Sequence, residues 1–179
     1  MNNIITEYPN YFTATNLKWK HLLKPDKYKN IVIDSLRFLV EDKRIKLFAF
    51  VLLSNHIHLI WQMLSLIDPK SVQRDFLKYT AQKIKADLKR NHPAVLKYFR
   101  VDARDREYPR LTGGQEFWER NPLSIELRQH EIFLQKLDYI HWNPVRAKLC
   151  KWPEDYLYSS AKFYETGVDN WGFLSQYKD

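Results

Sequence analysis

Two histidines at alternate positions, His56 and His58, lie inside the apolar run Phe48 to Trp61, and their type and spacing suit metal chemistry. In an extended strand alternate side chains share a face, so both imidazoles point one way while Ile57, Leu59 and Trp61 point the other. Neutral imidazole is a common metal ligand, and one reading of the pair is half of a metal site. The same spacing also suits plain polar surface or base-stacking groups. A third ligand decides between these readings, and distance in sequence does not limit where it comes from.

A second constellation is the run Lys136-Leu-Asp-Tyr139-Ile-His141-Trp-Asn143-Pro144-Val-Arg146. If helix persists through it, Tyr139 and Asn143 are four apart and emerge on one face about a turn apart. A phenol and an amide oxygen would then face one target. Two other readings stay open: Tyr139 as a core aromatic, and Asn143 as an N-cap with Pro144 at the first helical position.

The elements that must position these groups follow from periodicity. Tyr11 to Leu17 has the β-branched and aromatic content of a first strand. Pro25 opens a helix to about Arg44, with Tyr28, Val32, Leu36, Leu39 and Val40 at three- and four-residue steps. Leu47 to Leu53 reads as a buried strand, Ser54-Asn55 as a tight turn, and His56 to Met63 as the hairpin partner. Ser71 to Arg90 is helical, with Val72, Phe76, Thr80, Ile84 and Leu88 spaced by four. Strand, helix, strand, strand, helix is most of a split βαβ plan, and its closing strand is expected between Phe99 and Trp118. From Ser124 the pattern is helical again through Ile132, Phe133, Leu137 and Ile140, until Pro144 disfavours helix before it. The expected fold is α+β: a ferredoxin-like (RRM-like) antiparallel sheet with helices on one face, plus a C-terminal helix carrying Tyr139. Residues 1–165 are expected as a single domain and 166–179 as a polar tail.

Composition sets the partner class. The chain has 179 residues, 45% of them apolar, enough for one core. With 29 Lys and Arg against 21 Asp and Glu, the formal charge is +8 and the pI near 9.4, which favours a polyanion, nucleic acid first. Arg74, Lys78 and Lys85 lie on the second helix, whose basic face is either simply solvated or tracks phosphates. Arg104, Arg106 and Arg120 interleave with Tyr108, Phe117 and Trp118, a mixture that suits single-stranded nucleic acid and equally suits loop packing. Cys150 is the single cysteine, so no intramolecular disulfide forms, and a reducing compartment fits. The N-terminus lacks a signal-peptide pattern and the run Leu47 to Leu53 is too short to span a bilayer, so a cytoplasmic protein without a membrane partner is expected.

The run Ser54-Asn-His-Ile-His-Leu-Ile-Trp61, followed by Asp138-Tyr-Ile-His-Trp-Asn-Pro-Val-Arg146, resembles the HUH single-strand transposases, specifically their REP-associated tyrosine transposase branch. Phe117-Trp-Glu-Arg120, Trp152-Pro153 and Tyr158-Ser-Ser160 are similar to that branch as well, and the resemblance extends to about residue 165. It implies a DNA nicking and joining enzyme in which Tyr139 attacks a phosphate, leaving a 5′-phosphotyrosine and a free 3′-hydroxyl. It implies also that His56 and His58 hold a divalent ion, Mg²⁺ or Mn²⁺, with Asn143 as third ligand. His141 competes for that place but lies about 200° around a helix from Tyr139. The implied partner is single-stranded DNA with hairpin-forming palindromes, met at the nucleoid by a monomer or a homodimer, with Arg146 among the phosphate-binding residues.

The chemistry is consistent with the residue types. A phenol with a pKa of about 10 is a weak nucleophile at neutral pH and needs activation, which a Lewis acid on the phosphate provides. Two rival readings remain. A non-catalytic module stacking single-stranded nucleic acid on a ferredoxin-like sheet would need exposed aromatics on the central strands. A simple metal-dependent hydrolase would need carboxylates beside the histidines, and none is near them in sequence.

Overall fold

The computed structural model describes residues 7–64, 68–96 and 116–177. In chain order these form β1 (Asn10–Thr15), a 3-10 turn (Leu17–Trp19), α1 (Asp26–Glu41), β2 (Ile45–Leu52), β3 (His56–Met63), α2 (Pro69–Asn91) and a single-turn α3 (Pro93–Leu96). Then come β4 (Leu123–Glu126), α4 (His130–Arg146), a second 3-10 turn (Pro153–Asp155) and α5 (Ala161–Thr166). The strands make one antiparallel sheet in the order β2-β3-β1-β4, the ferredoxin-like arrangement.

Helices α1 and α2 cover one face of the sheet. Pro25 precedes α1, which buries Tyr28, Val32, Leu36 and Leu39. Asp68 caps α2 by accepting from the Ser71 N–H at 3.1 Å, and Pro69 takes the first helical position. Both helices pack on Phe12, Ile57, Leu59 and Trp61. Ile57 and Leu59 are fully buried, each contributing about 1.5–3 kcal/mol, and with Trp61 they fix which face β3 turns inward. The histidines between them are thereby committed to the other face.

That second face is partly covered by α4, through Phe133 and Ile140 against Tyr11, Phe48, Val51 and Ile60. Strand β2 is buried on both sides, and its register shifts between Leu47 and Ala49. At this bulge Phe48 and Ala49 both join the α4 side, whereas Leu47, Phe50 and Leu52 join the α1/α2 side. The outer edge of β2 is occupied by later chain. Leu52 N–H donates to Tyr158 O at 2.9 Å, Ser160 N–H to Phe50 O at 3.0 Å, and Ser175 N–H to Leu47 O at 2.8 Å. Within the stretch expected as a polar tail, Phe173 is buried in the α1/α2 core and Tyr177 stacks on Phe133 at 3.8 Å between ring centres.

Two expectations are corrected here. The sheet's fourth strand is Leu123–Glu126, and Ser124 belongs to it instead of opening a helix; α4 begins at His130. Phe99 lies outside the described residues, and Trp118 makes an isolated bridge with Asn16. All four β4 residues are exposed, and the strand is held by backbone pairing to β1 and by Gln73 Nε2 donating to Ser124 Oγ at 3.0 Å, so its Leu123/Ile125 alternation, only four residues long, is weak to read. Helix α4 also runs through Pro144 to Arg146. Proline removes one helical hydrogen bond, and in the last turn, with Pro144 buried, packing outweighs that loss. No helix among the described residues is long and apolar enough to cross a membrane.

Candidate active site

Strand β3 sets His56 and His58 on the α4 side of the sheet with ring centres 4.8 Å apart. Thr13 of β1 pairs directly opposite His58. His58 is buried, and its Nδ1 lies 2.9 Å from the Tyr11 hydroxyl and 2.8 Å from the Thr13 hydroxyl. Its Nε2 is buried with no hydrogen-bond partner. Burial, then the neighbouring His56 and Lys136, push the His58 pKa down to about 3, so the ring is neutral at physiological pH.

His56 is half-buried, and its Nδ1 lies 2.7 Å from Asn55 Oδ1. An amide oxygen only accepts, so this Nδ1 carries the hydrogen and Nε2 keeps its lone pair. Burial lowers the His56 pKa as well, opposed by a hydrogen bond with the side chain of Asn143. Both rings thus stay neutral, the form in which imidazole binds a cation.

Helix α4 puts Tyr139 and Asn143 on the face turned to this pair. The Tyr139 ring centre is 5.4 Å from that of His58 and 6.4 Å from that of Tyr11, and the side chain is 42% exposed. Tyr139 is therefore no core aromatic, and Asn143 sits inside a helix instead of capping one. The Arg146 guanidinium carbon lies 5.2 Å from the centre of the Tyr139 ring and the Lys136 ammonium 6.0 Å from it. His141 is turned the other way, buried, with Nε2 2.9 Å from Ser160 Oγ, and burial lowers its pKa to about 4.

Among the described residues no group of three or more His, Cys, Asp or Glu could hold a metal ion. A cation on the two Nε2 atoms would need a third ligand, an amide or hydroxyl oxygen, and Asn143 is in reach of His56. A buried nitrogen without a partner costs about 1–3 kcal/mol, which a cation at His58 Nε2 would remove. The donor set fits a divalent ion.

The remaining basic residues are not gathered here. Arg74, Lys78 and Lys85 lie on α2, behind the sheet from the histidines, and Arg74 pairs with Asp75 at 3.0 Å. Arg120 Nε lies 3.0 Å from Glu116. Arg104 and Arg106 lie outside the described residues. Sequence reasoning missed Tyr11 and Thr13, which alternation places on one face of β1; what it could not supply was the register against β3. It also missed Trp19, although Lys18-Trp19-Lys20 is a visible mixture of cation and aromatic.

The whole chain is similar in fold to the structure of a REP-associated tyrosine transposase bound to a REP hairpin. The TM-score is 0.61 and the identity 18%, with 100% of this chain and 93% of that chain covered. No protein-family model matches the sequence, and no curated protein matches it.

Proposed function

We propose that this protein is a transposase-like nuclease and strand transferase that cleaves and rejoins single-stranded, hairpin-associated DNA through a phosphotyrosine intermediate. The observation that supports it is the approach of Tyr139 on α4 to the His56–His58 pair on β3, beside two cations. The likeness in fold to a tyrosine transposase bound to a hairpin favours the same substrate class.

In this reading the Tyr139 oxygen forms a bond to phosphorus and the bond from phosphorus to the 3′-oxygen breaks. The phenol gives its proton to water, and the leaving oxygen takes one up as a 3′-hydroxyl. The phosphotyrosine keeps the energy of the broken bond, so a 3′-hydroxyl can reverse the step and rejoin strands without ATP. Lys136 and Arg146 neutralise the phosphate and hold it before the phenol. Thr13 and Tyr11 orient the His58 ring through Nδ1, leaving Nε2 free. His56, His58 and Asn143 would hold Mg²⁺ or Mn²⁺, with the nitrogen ligands favouring Mn²⁺. When bound, such an ion supplies Lewis acidity at the phosphate oxygens.

Incubating the protein with single-stranded hairpin DNA and Mn²⁺ tests this. A covalent protein–DNA adduct on a denaturing gel is expected from the wild type and none from Tyr139→Phe. His56→Ala and His58→Ala should lose cleavage while still binding DNA. An equal adduct from Tyr139→Phe would remove the assigned nucleophile. Tight binding that survives chelator, with no product from any strand, would favour the non-catalytic module.

A further inference from the structure

The 3-10 turn between β1 and α1 holds two consecutive non-glycine residues in the left-handed region, Lys18 at φ 54° and Trp19 at φ 55°. Bulky side chains rarely adopt this conformation, because Cβ crowds the neighbouring carbonyl. Its surroundings impose it. The Lys18 N–H donates to a carboxylate oxygen of Glu119, and the Trp19 N–H donates to Asn16 O at 2.9 Å. The Asn16 N–H in turn donates to Asn55 O at 2.7 Å, one residue before His56. The turn is thus tied to the strand end that carries the histidines.

What this strained backbone presents is an indole outside the core. Trp19 is 63% exposed and joins neither apolar cluster. Its ring stands edge-on to His56 with centres 6.0 Å apart. Packing gives no reason for a tryptophan here, and strain that persists beside a site of chemistry is commonly part of that site's work.

We propose that Trp19 is a platform on which an unpaired base next to the scissile phosphate stacks. The inference rests on the reading of the His56–Tyr139 face as a single-strand DNA site and adds a determinant for the strand. Every base has a π-face, so such a contact tolerates sequence, whereas duplex DNA hides those faces. Lys18 and Lys20 flank the indole in sequence and add positive charge to the same turn. Trp19 therefore selects for unpaired DNA at the nick.

Binding of the full chain to two strands of equal length, oligothymidine and the same backbone with abasic sites, distinguishes stacking from charge. Fluorescence anisotropy with chelator present keeps cleavage out of the measurement. The wild type should prefer oligothymidine by roughly ten-fold or more, and Trp19→Ala should lose about 5- to 150-fold on oligothymidine with little change on the abasic strand. Trp19→Phe should keep most of the preference. Equal affinity of the wild type for both strands needs no variant and would overturn the proposal, as would an equal loss on both by Trp19→Ala. Adduct formation by the wild type together with unchanged oligothymidine affinity in Trp19→Ala would discard the platform and keep the nuclease. A Trp19→Ala loss without any adduct would keep the platform and discard the nuclease.

Discussion

Acid should unfold this protein through histidines that its interior keeps neutral. His58, with its pKa pushed down to about 3, and His141, at about 4, are both buried. In the unfolded chain each returns to about 6.5. Between those values the unfolded state takes up protons that the native state refuses, so stability is full above about pH 6.5 and falls as pH drops. From about pH 7.5 to pH 5, each of these two removes about 2 kcal/mol, together about 4 kcal/mol, and His56, whose pKa burial also lowers, adds to the loss. Both native values lie well below pH 5, so this figure depends chiefly on the unfolded pKa. The loss is a large share of the 5–15 kcal/mol (roughly) that holds a typical domain. Asp87, whose pKa is lowered to about 2 by its hydrogen bonds from Lys27 and Tyr28, loses its contribution at lower pH and does not confuse this range. Urea unfolding at the two pH values, with chelator present, measures the difference. In His141→Gln, where an amide can still meet Ser160, the loss should shrink by about 2 kcal/mol at unchanged m. A His141→Gln protein that keeps the whole pH dependence would refute the assignment.

Three further outcomes are expected. Thr13→Val removes one hydroxyl from His58 Nδ1 and should raise the Mn²⁺ needed for half-maximal adduct about 10-fold or more, with Thr13→Ser restoring it; an unchanged Mn²⁺ titration would deny Thr13 its orienting part. Asp68→Ala removes the cap of α2 and should cost about 1 kcal/mol in urea unfolding, with Asp68→Asn recovering most of it. Phe133→Ala empties the seat shared by Phe48 and Tyr177 and should cost about 3–5 kcal/mol; a loss under about 1 kcal/mol would mean that α4 is held elsewhere.

The face that β3 turns to the site was legible because Ile57, Leu59 and Trp61 alternate with the histidines, and period two leaves no other reading. The pairing of Tyr139 with Asn143 was legible from helical spacing, and the structure puts His141 on the far side of α4 as that spacing requires. Registers were not legible. Thr13 opposite His58 depends on which β1 residue meets which β3 residue, a property of two segments far apart in sequence. Strand β4 escaped notice because Leu123-Ser-Ile-Glu126 is short and wholly exposed. Pro144 misled because its local penalty in the last turn is smaller than the burial it gains. The conformation of Trp19 was beyond sequence reading, since partners distant in sequence, Glu119 and Asn55 through Asn16, impose it.

The occupied edge of β2 has a consequence for how molecules of this protein meet. A buried, strongly apolar strand at the rim of a sheet is a template on which another chain can add, and runs like Leu47 to Leu53 are hazards when uncovered. Here Tyr158, Ser160 and Ser175 take the Leu47, Phe50 and Leu52 backbone groups, and the Tyr164 hydroxyl takes Phe48 O at 2.9 Å. The later chain plays the part of a neighbouring strand, so sheet growth and amyloid-like pairing are blocked from that side. A chain released before residue 158 would carry the histidines and Tyr139 but leave its stickiest strand bare.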